Sequence, residues 1–265
     1  MNADGAFRMG KTHTVCQDYV LAQNGEVPTV LLADGCSSSP DTDIGARLLV
    51  RMAARSRPDA NREEALMAAR RQADALGLEP RSLDATLLSI QVSGDRWVAE
   101  VHGDGALAWA DNAGRIYAIS LSYPASYPHY LNYQADPARY AAFLIQEGND
   151  RHSEEIELLP DGGIRTLALT VDPSCAPCYR RTGDIKDTRW VAILSDGVHS
   201  FVETESVAGR SITAPIPWHE VLRELLAFKN RNGAFVQRRI QRFLQQCEAR
   251  HWQHRDDLSL GALSF

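Results

Sequence analysis

Four short acidic segments, far apart in the chain, constrain this sequence more than anything else in it. They are Cys16-Gln17-Asp18, Ala33-Asp34-Gly35, Ser195-Asp196-Gly197 and Arg255-Asp256-Asp257. Asp34 and Asp196 each follow an apolar run and precede a glycine, and Asp257 opens the last apolar run. A carboxylate at a strand end is exposed where side chains from distant segments converge. Three or four such carboxylates can hold hard divalent cations such as Mg²⁺ or Mn²⁺. A fold that joins these segments must bring both ends of the chain to one place, so a single domain spanning 1–265 is expected.

The run Val30-Leu31-Leu32-Ala33 reads as a buried strand leading into Asp34, and the Cys-Ser-Ser-Ser-Pro-Asp-Thr-Asp stretch after it as a loop. A helix is expected over 44–56, capped by Thr42 or Asp43, with Ile44, Leu48, Leu49 and Met52 on its apolar stripe. A second helix is expected over 62–76, with Ala65, Leu66, Ala69 and Ala73 near one face and Gly77 as its stop. Strand signals follow at 85–92, 97–102, 106–110 and 115–119, separated by Ser-Gly-Asp, Gly-Asp-Gly and Asp-Asn-Ala-Gly turns. Short strands joined by tight turns predict antiparallel sheet. The stretch 121–188 reads as an irregular insertion or rim with a few strands, such as 164–171. Order returns with a strand at 190–194, helices over 219–228 and 233–247, and a last strand over 258–265.

Charge and composition exclude several classes. A formal net charge of −6 with no long basic block disfavours nucleic acid as a partner. No apolar run approaches the roughly 18 residues of a membrane span. The N-terminus, MNADGAFRMGKTH, lacks the apolar centre of a signal peptide, so the expectation is no membrane association and a cytoplasmic location. Five cysteines are an odd number in a chain long enough to need no staples, which argues against a disulfide scaffold. Cys175 and Cys178 form a CxxC pair without a second one; it reads as a surface pair ahead of a zinc or redox site. Cys16 and Cys247 read as packing residues, and His251 and His254 as flanks of a helix-to-strand turn.

At this point the order of motifs becomes specific. Gly10-Lys11-Thr12-His13…Cys16-Gln17-Asp18, Leu31-Leu32-Ala33-Asp34-Gly35, Asp84-Ala85-Thr86, Gly103-Asp104-Gly105, Ser195-Asp196-Gly197 and Asp256-Asp257-Leu258-Ser259 run in sequence along nearly the whole chain. That series resembles the PP2C-type (PPM) metal-dependent serine/threonine protein phosphatases, in a bacterial branch with a GxxH…CQD opening. The resemblance implies an α+β fold of four layers, an αββα sandwich with two central antiparallel sheets flanked by helices. It implies that Asp34 bridges two Mn²⁺ or Mg²⁺ ions with the Gly35 carbonyl in one coordination sphere, that Asp196 and Asp257 hold the other side, and that Asp18 binds through water. A metal-bridging hydroxide would then attack phosphorus in line, with His13, Asp34 and Asp196 as the catalytic set.

Departures from that pattern stand beside it. His13 occupies the place where many relatives carry a phosphate-gripping arginine; it reads equally as a phosphate contact or a structural residue, with Lys11 as a weaker source of charge. Cys36 falls where many relatives place a histidine that protonates the leaving oxygen, which leaves that task to good leaving groups, His13, His102 or water. Gln17 replaces an acidic residue. Asp84 reads either as a ligand of a third ion or as a turn cap, and Asp104 as a structural turn carboxylate. The segment Tyr123–Tyr130 reads either as a substrate-binding rim or as a loop cover. The function implied is hydrolysis of phosphoserine or phosphothreonine in a phosphorylated protein, with a cognate Ser/Thr kinase as a further partner. Two alternatives are a catalytically weak PP2C-like module that binds phosphoproteins or regulates a kinase, and a hydrolase of small phosphoesters.

Overall fold

Val30, Leu31, Leu32 and Ala33 are apolar in succession, which a strand satisfies only with a core on each face. The computed structural model has that arrangement: Val30 and Leu32 enter one buried cluster, Leu31 and Ala33 another. It describes residues 1–55, 62–123, 128–147, 151–172, 178–207 and 210–265. In chain order the elements are β1 (Asn2–Arg8), β2 (Asp18–Gln23), β3 (Thr29–Asp34), α1 (Thr42–Ala53), α2 (Arg62–Ala75), β4 (Leu87–Ser93), β5 (Arg96–His102), β6 (Gly105–Asp111) and β7 (Ile116–Ser122). They continue with α3 (Pro137–Glu147), β8 (Arg151–Leu158), β9 (Ile164–Asp172), β10 (Tyr179–Asp184), β11 (Thr188–Leu194), β12 (Phe201–Val207), β13 (Arg210–Pro215), α4 (Trp218–Leu225), α5 (Phe235–Ala249), β14 (Trp252–His254) and β15 (Leu258–Ser264).

Two antiparallel sheets form the centre: β1-β15-β11-β6-β7-β8-β9 and β10-β5-β4-β3-β2. Between them lies one core, in which Val20, Val30, Leu32 and Ile90 face Leu107, Ile119, Val191 and Ile193. The outer face of the five-stranded sheet, with Leu31, Ala33 and Leu87, is covered by α1 and α2. The outer face of the seven-stranded sheet, with Ala192, Leu194 and Leu260, is covered by α4 and α5 through Leu222, Leu225, Ile240 and Phe243. The result is an α+β sandwich of helix, sheet, sheet and helix, held by three apolar layers. Each fully buried Leu or Ile contributes about 2 kcal/mol relative to exposure. No described helix is long and apolar enough to cross a membrane.

Several expectations shift. Helix α1 starts at Thr42, preceded by Asp41 in the left-handed region (φ 53°), not at Ile44. Its buried face carries Gly45, Ala46, Leu49, Val50 and Ala53. Leu48 and Met52 pack against the same cluster as Leu49, as expected, while Ile44 is 38% exposed and lies off the stripe. At Gly45 a Cβ would lie 1.6 Å from the Ser82 carbonyl oxygen. That close approach fixes which side of α1 turns inward. Within 121–188, β8 and β9 extend the seven-stranded sheet beyond β7, β10 edges the other sheet beside β5, and α3 lies between β7 and β8. A small third sheet, β13-β12-β14, was not anticipated. It steers the chain into the last acidic segment: Phe201 pairs with His254, and Asp256 N–H donates to Ser200 Oγ at 3.2 Å.

Candidate active site

The acidic residues reach one cleft because the strands that carry them end on the same side of the sandwich. Asp18 opens β2 and stands opposite Asp34, the last residue of β3. The Asp34 backbone N–H donates to Thr86 Oγ1 at 3.0 Å, and its carbonyl accepts the Thr86 N–H at 2.8 Å. Asp196 follows β11 and begins a one-turn 3-10 segment, Asp196–His199. Asp104 sits in the β5–β6 turn between Gly103 (φ 94°) and Gly105 (φ 123°), backbone shapes that favour glycine. Asp256 lies just before β15. Asp34, Gly35, Asp104, Asp196 and Asp256 line a single cleft of about 810 Å³, and His13 joins them.

Crowded carboxylates make this a region of high electrostatic cost. Burial holds Asp34 well above the usual carboxylate range, and the charges of Asp18 and Asp196 add to it. Asp104 is held well above that range by burial and then by Asp196. Asp196 is raised by burial, against which a hydrogen-bond contact with Asp34 works, while Asp256 adds to the rise. Asp18 is fully buried beneath the cleft. Its Oδ2 accepts from Ser195 Oγ at 2.9 Å and from Ser259 Oγ. Burial pushes its carboxyl up to about 7 despite those two hydroxyls. Asp18 Oδ1 and Asp196 Oδ1 are buried and have no protein partner.

His13 and the paired Asp256 and Asp257 divide the remaining work. The Asp257 carboxylate is 1% exposed and is taken up by the N-terminal loop. Its Oδ1 accepts the Gly10 N–H at 2.7 Å and its Oδ2 the Gln17 N–H at 2.6 Å. His13 Nδ1 lies 3.1 Å from Asp257 Oδ2, off the line of a good hydrogen bond. His13 Nε2 lies 3.3 Å from Asp256 Oδ1. Burial pulls the His13 pKa down, but Asp257, Asp256 and Asp18 outweigh it and raise it above the ordinary histidine value. Of the two adjacent aspartates, Asp256 lines the cleft and Asp257 anchors the loop that carries His13.

Other residues singled out from sequence are placed as follows. Asp84 is 2% exposed, with both oxygens engaged by Arg139, Asn132 and Ser39. Cys36 lines the cleft. Burial pushes its thiol up, yet hydrogen bonds with Ser38 and Tyr130 outweigh it and lower the pKa. Gln17 Nε2 donates to Thr42 Oγ1 at 2.6 Å, beneath the start of α1. Tyr123 and Tyr130 pack with Tyr133 and Phe143 and line the cleft, while 124–127 lie outside the described residues. Cys175 also lies outside them; burial pushes the Cys178 thiol up to about 11. His254 packs on Phe201 at 5.5 Å between ring centroids, and its Nδ1 lies 2.9 Å from the Asp256 carbonyl. Asp104 and Asp256 were not in the expected ligand set. The signal for Asp104 is its glycine-flanked turn. For Asp256, which lies at a bend between β14 and β15, the sequence offers only its place beside Asp257.

The donor set can be tested against divalent cations. Among the described residues, no three Asp, Glu, His or Cys side chains are grouped to hold one ion between them. Mg²⁺ keeps several waters and takes one or two protein carboxylates, so closely paired carboxylates suffice. Asp34, Asp104, Asp196 and Asp256 line the cleft beside His13 and Cys36, and four carboxylates suit hard cations over Zn²⁺. Three raised carboxyls and a partnerless buried Oδ1 on Asp196 are what a site built around added positive charge presents without it. The residues fit.

No curated protein matched the sequence. Several solved structures share the fold. A bacterial serine phosphatase aligns with a TM-score of 0.54 at 10% identity, covering 100% of this chain and 97% of that one. Serine/threonine phosphatase Stp1 from Staphylococcus aureus gives 0.54 at 11% identity, covering 99% and 94%. PppA of Pseudomonas aeruginosa, a regulatory component of T6SS, gives 0.52 at 14%, covering 100% and 97%. Residues 9–245 match the family described as Protein phosphatase 2C, and the chain belongs to that family.

Proposed function

We propose that this protein is a Mn²⁺- or Mg²⁺-dependent phosphatase acting on phosphoserine or phosphothreonine in proteins. The observation that carries the reading is the convergence of Asp34, Asp104, Asp196 and Asp256 with His13 on one cleft. Asp34, the Gly35 carbonyl, Asp196 and Asp256 would hold the two ions. Asp18, with a partnerless Oδ1 beneath them, would hold water of the inner shell. When bound, the ions supply the charge that activates water at neutral pH and offsets the phosphoryl oxygens.

The remaining parts belong to the chain itself. Asp257 ties both ends of the Gly10–Gln17 loop through the Gly10 and Gln17 backbone N–H groups, and so helps set the position of the His13 ring. His13, whose pKa its carboxylate neighbours raise, would take the place of a fixed arginine as a donor to the phosphoryl group. Asp84 is assigned to scaffolding and not to a third ion, because four side-chain donors already occupy its oxygens. Cys36 lines the cleft and would stand near the leaving oxygen. As a weak proton donor it makes turnover depend on the acidity of the leaving group.

The test is hydrolysis of p-nitrophenyl phosphate and of a phosphothreonine peptide with and without Mn²⁺. Metal-dependent turnover of both, collapsing in Asp34→Ala and Asp196→Ala, is expected. Turnover that survives both substitutions sinks the mechanism. Tight phosphopeptide binding with negligible turnover at saturating Mn²⁺ would favour a binding module instead. A preference for phosphorylated metabolites over peptides would favour a small-molecule hydrolase.

A further inference from the structure

The cleft continues past the 37–39 loop to Arg81 and Arg139, and the charges there do not cancel. Asp84 takes the Arg139 guanidinium as a fork, with Nη1 donating to Oδ1 at 3.0 Å and Nη2 to Oδ2 at 2.7 Å. Asn132 Nδ2 and Ser39 Oγ donate to the same two oxygens at 2.8 and 2.9 Å. Arg81 is left with neutral acceptors: its Nη2 donates to the Ser38 carbonyl at 3.2 Å and to Ser39 Oγ at 3.3 Å. Its Nε comes no nearer to Asp84 Oδ2 than 3.9 Å, and its side chain is 51% exposed. Two guanidinium groups therefore face one carboxylate, and the surplus positive charge sits on Arg81, on the cleft wall.

Its distance from the carboxylates is bounded by the chain. Arg81 holds Ser38, four residues beyond Asp34, so the two positions are separated by at most about 14 Å of extended backbone. An extended peptide advances about 3.3–3.6 Å per residue. A phosphoryl group placed at the carboxylates thus brings side chains within about four positions of the phosphorylated residue over Arg81. We propose that Arg81 is a specificity-determining residue, selecting phosphopeptides that carry a carboxylate side chain within about four residues of the phosphoserine or phosphothreonine. The inference rests on the phosphatase reading above and names the substrate class of the same cleft.

The probe is a set of fluorescein-labelled peptides with a non-hydrolysable phosphonate, identical except for Asp, Asn or Lys at the flanking positions. Binding is followed by anisotropy in Mn²⁺, and kcat/KM is measured on the matching phosphothreonine peptides. A half-exposed ion pair predicts that the wild type prefers the Asp peptide to the Asn peptide by about two- to fivefold. The ratio should shrink in high salt. Arg81→Gln should bring it to about one, Arg81→Lys should keep most of it, and Arg81→Glu should reverse it toward the Lys peptide. The ratio is taken within each protein, so a general loss of activity does not disguise the result. A wild type without the preference, an Arg81→Gln protein that keeps it, or an Arg81→Lys protein that loses it as fully as Arg81→Gln overturns the inference. A wild type that binds and hydrolyses none of the peptides in Mn²⁺ overturns the phosphatase reading and this inference together.

Discussion

Replacing Asp34 by asparagine should stabilise the metal-free protein while removing its response to Mn²⁺. The Asp34 and Asp196 carboxylates are half-buried on the wall of one cleft and each is raised, so two full charges there repel. Two unit charges 4 Å apart at an effective dielectric of 20 interact by about 4 kcal/mol. That is an upper limit, because the pair escapes by retaining a proton, which is what the raised carboxyls express. Asparagine keeps the shape and the backbone bonds to Thr86 but removes one charge. At pH 8 the expected gain is about 1–3 kcal/mol, or roughly 3–10 °C in Tm for a chain of this size. The sign with pH follows from proton linkage. Asp34 and Asp18 titrate higher in the folded than in the unfolded protein, so between the ordinary carboxylate value and the raised one the folded state holds more protons. Wild-type stability without metal should therefore fall as pH rises from about 4 toward 8, and the asparagine variant should fall less. In the wild type, Mn²⁺ at about 100 times its Kd should add roughly 2.7 kcal/mol. Thermal unfolding followed by circular dichroism, in EDTA and in Mn²⁺ at pH 5 and pH 8, reads all four quantities. An Asp34→Asn protein that melts at or below the wild type in EDTA at pH 8, or that keeps the Mn²⁺ shift, refutes the reasoning.

Asp256→Asn should abolish Mn²⁺-dependent turnover with little change in Tm, whereas Asp257→Asn should cost about 2–3 kcal/mol of stability by weakening two charge-assisted bonds to backbone N–H groups; parallel activity and melting measurements separate the two, and an identical pattern for both would count against the division of roles. Inhibition by inorganic phosphate should weaken in the wild type relative to His13→Arg as pH rises through the raised His13 pKa, since imidazolium is lost and guanidinium is not; a constant ratio of inhibition constants between pH 6 and 9 would show that His13 carries no charge toward the phosphate. Gly45→Ala should cost more than about 2 kcal/mol, because its methyl group would meet the Ser82 carbonyl; chemical denaturation checks this, and a neutral result would mean that α1 is not held against the 80–83 turn.

What the sequence disclosed, and what it concealed, follows from how each element is stabilised. β3 and β11 sit in the middle of their sheets with cores on both faces, so their unbroken apolar runs could be read directly. β8 could not: its Glu154, Glu155 and Glu157 look like a solvated charge run, and only the fold supplies their partners Trp218, Arg181 and Arg165. β1 likewise owes its strand to pairing with β15 along its whole length, from Asn2 with Ser264 to Arg8 with Leu258. On α1 the expected Leu48, Leu49 and Met52 do pack inward, and only Ile44 does not, where Gly45 approaches a distant carbonyl. The acidic motifs marked which segments meet at the cleft, since Asp34, Asp196 and Asp256 all line it. Which of Asp256 and Asp257 faces inward depends on the backbone ties to Ser200, Gly10 and Gln17, and no local pattern encodes those.

Carboxylates from both ends of the chain are expected to meet around paired divalent ions. Anomalous diffraction from crystals soaked in Mn²⁺ tests this directly. Two strong peaks bounded by Asp34, the Gly35 carbonyl, Asp196 and Asp256, with Asp257 still bound to Gly10 and Gln17, are predicted. A cleft without anomalous signal at millimolar Mn²⁺, or peaks held by Asp257 in place of Asp256, would contradict the account.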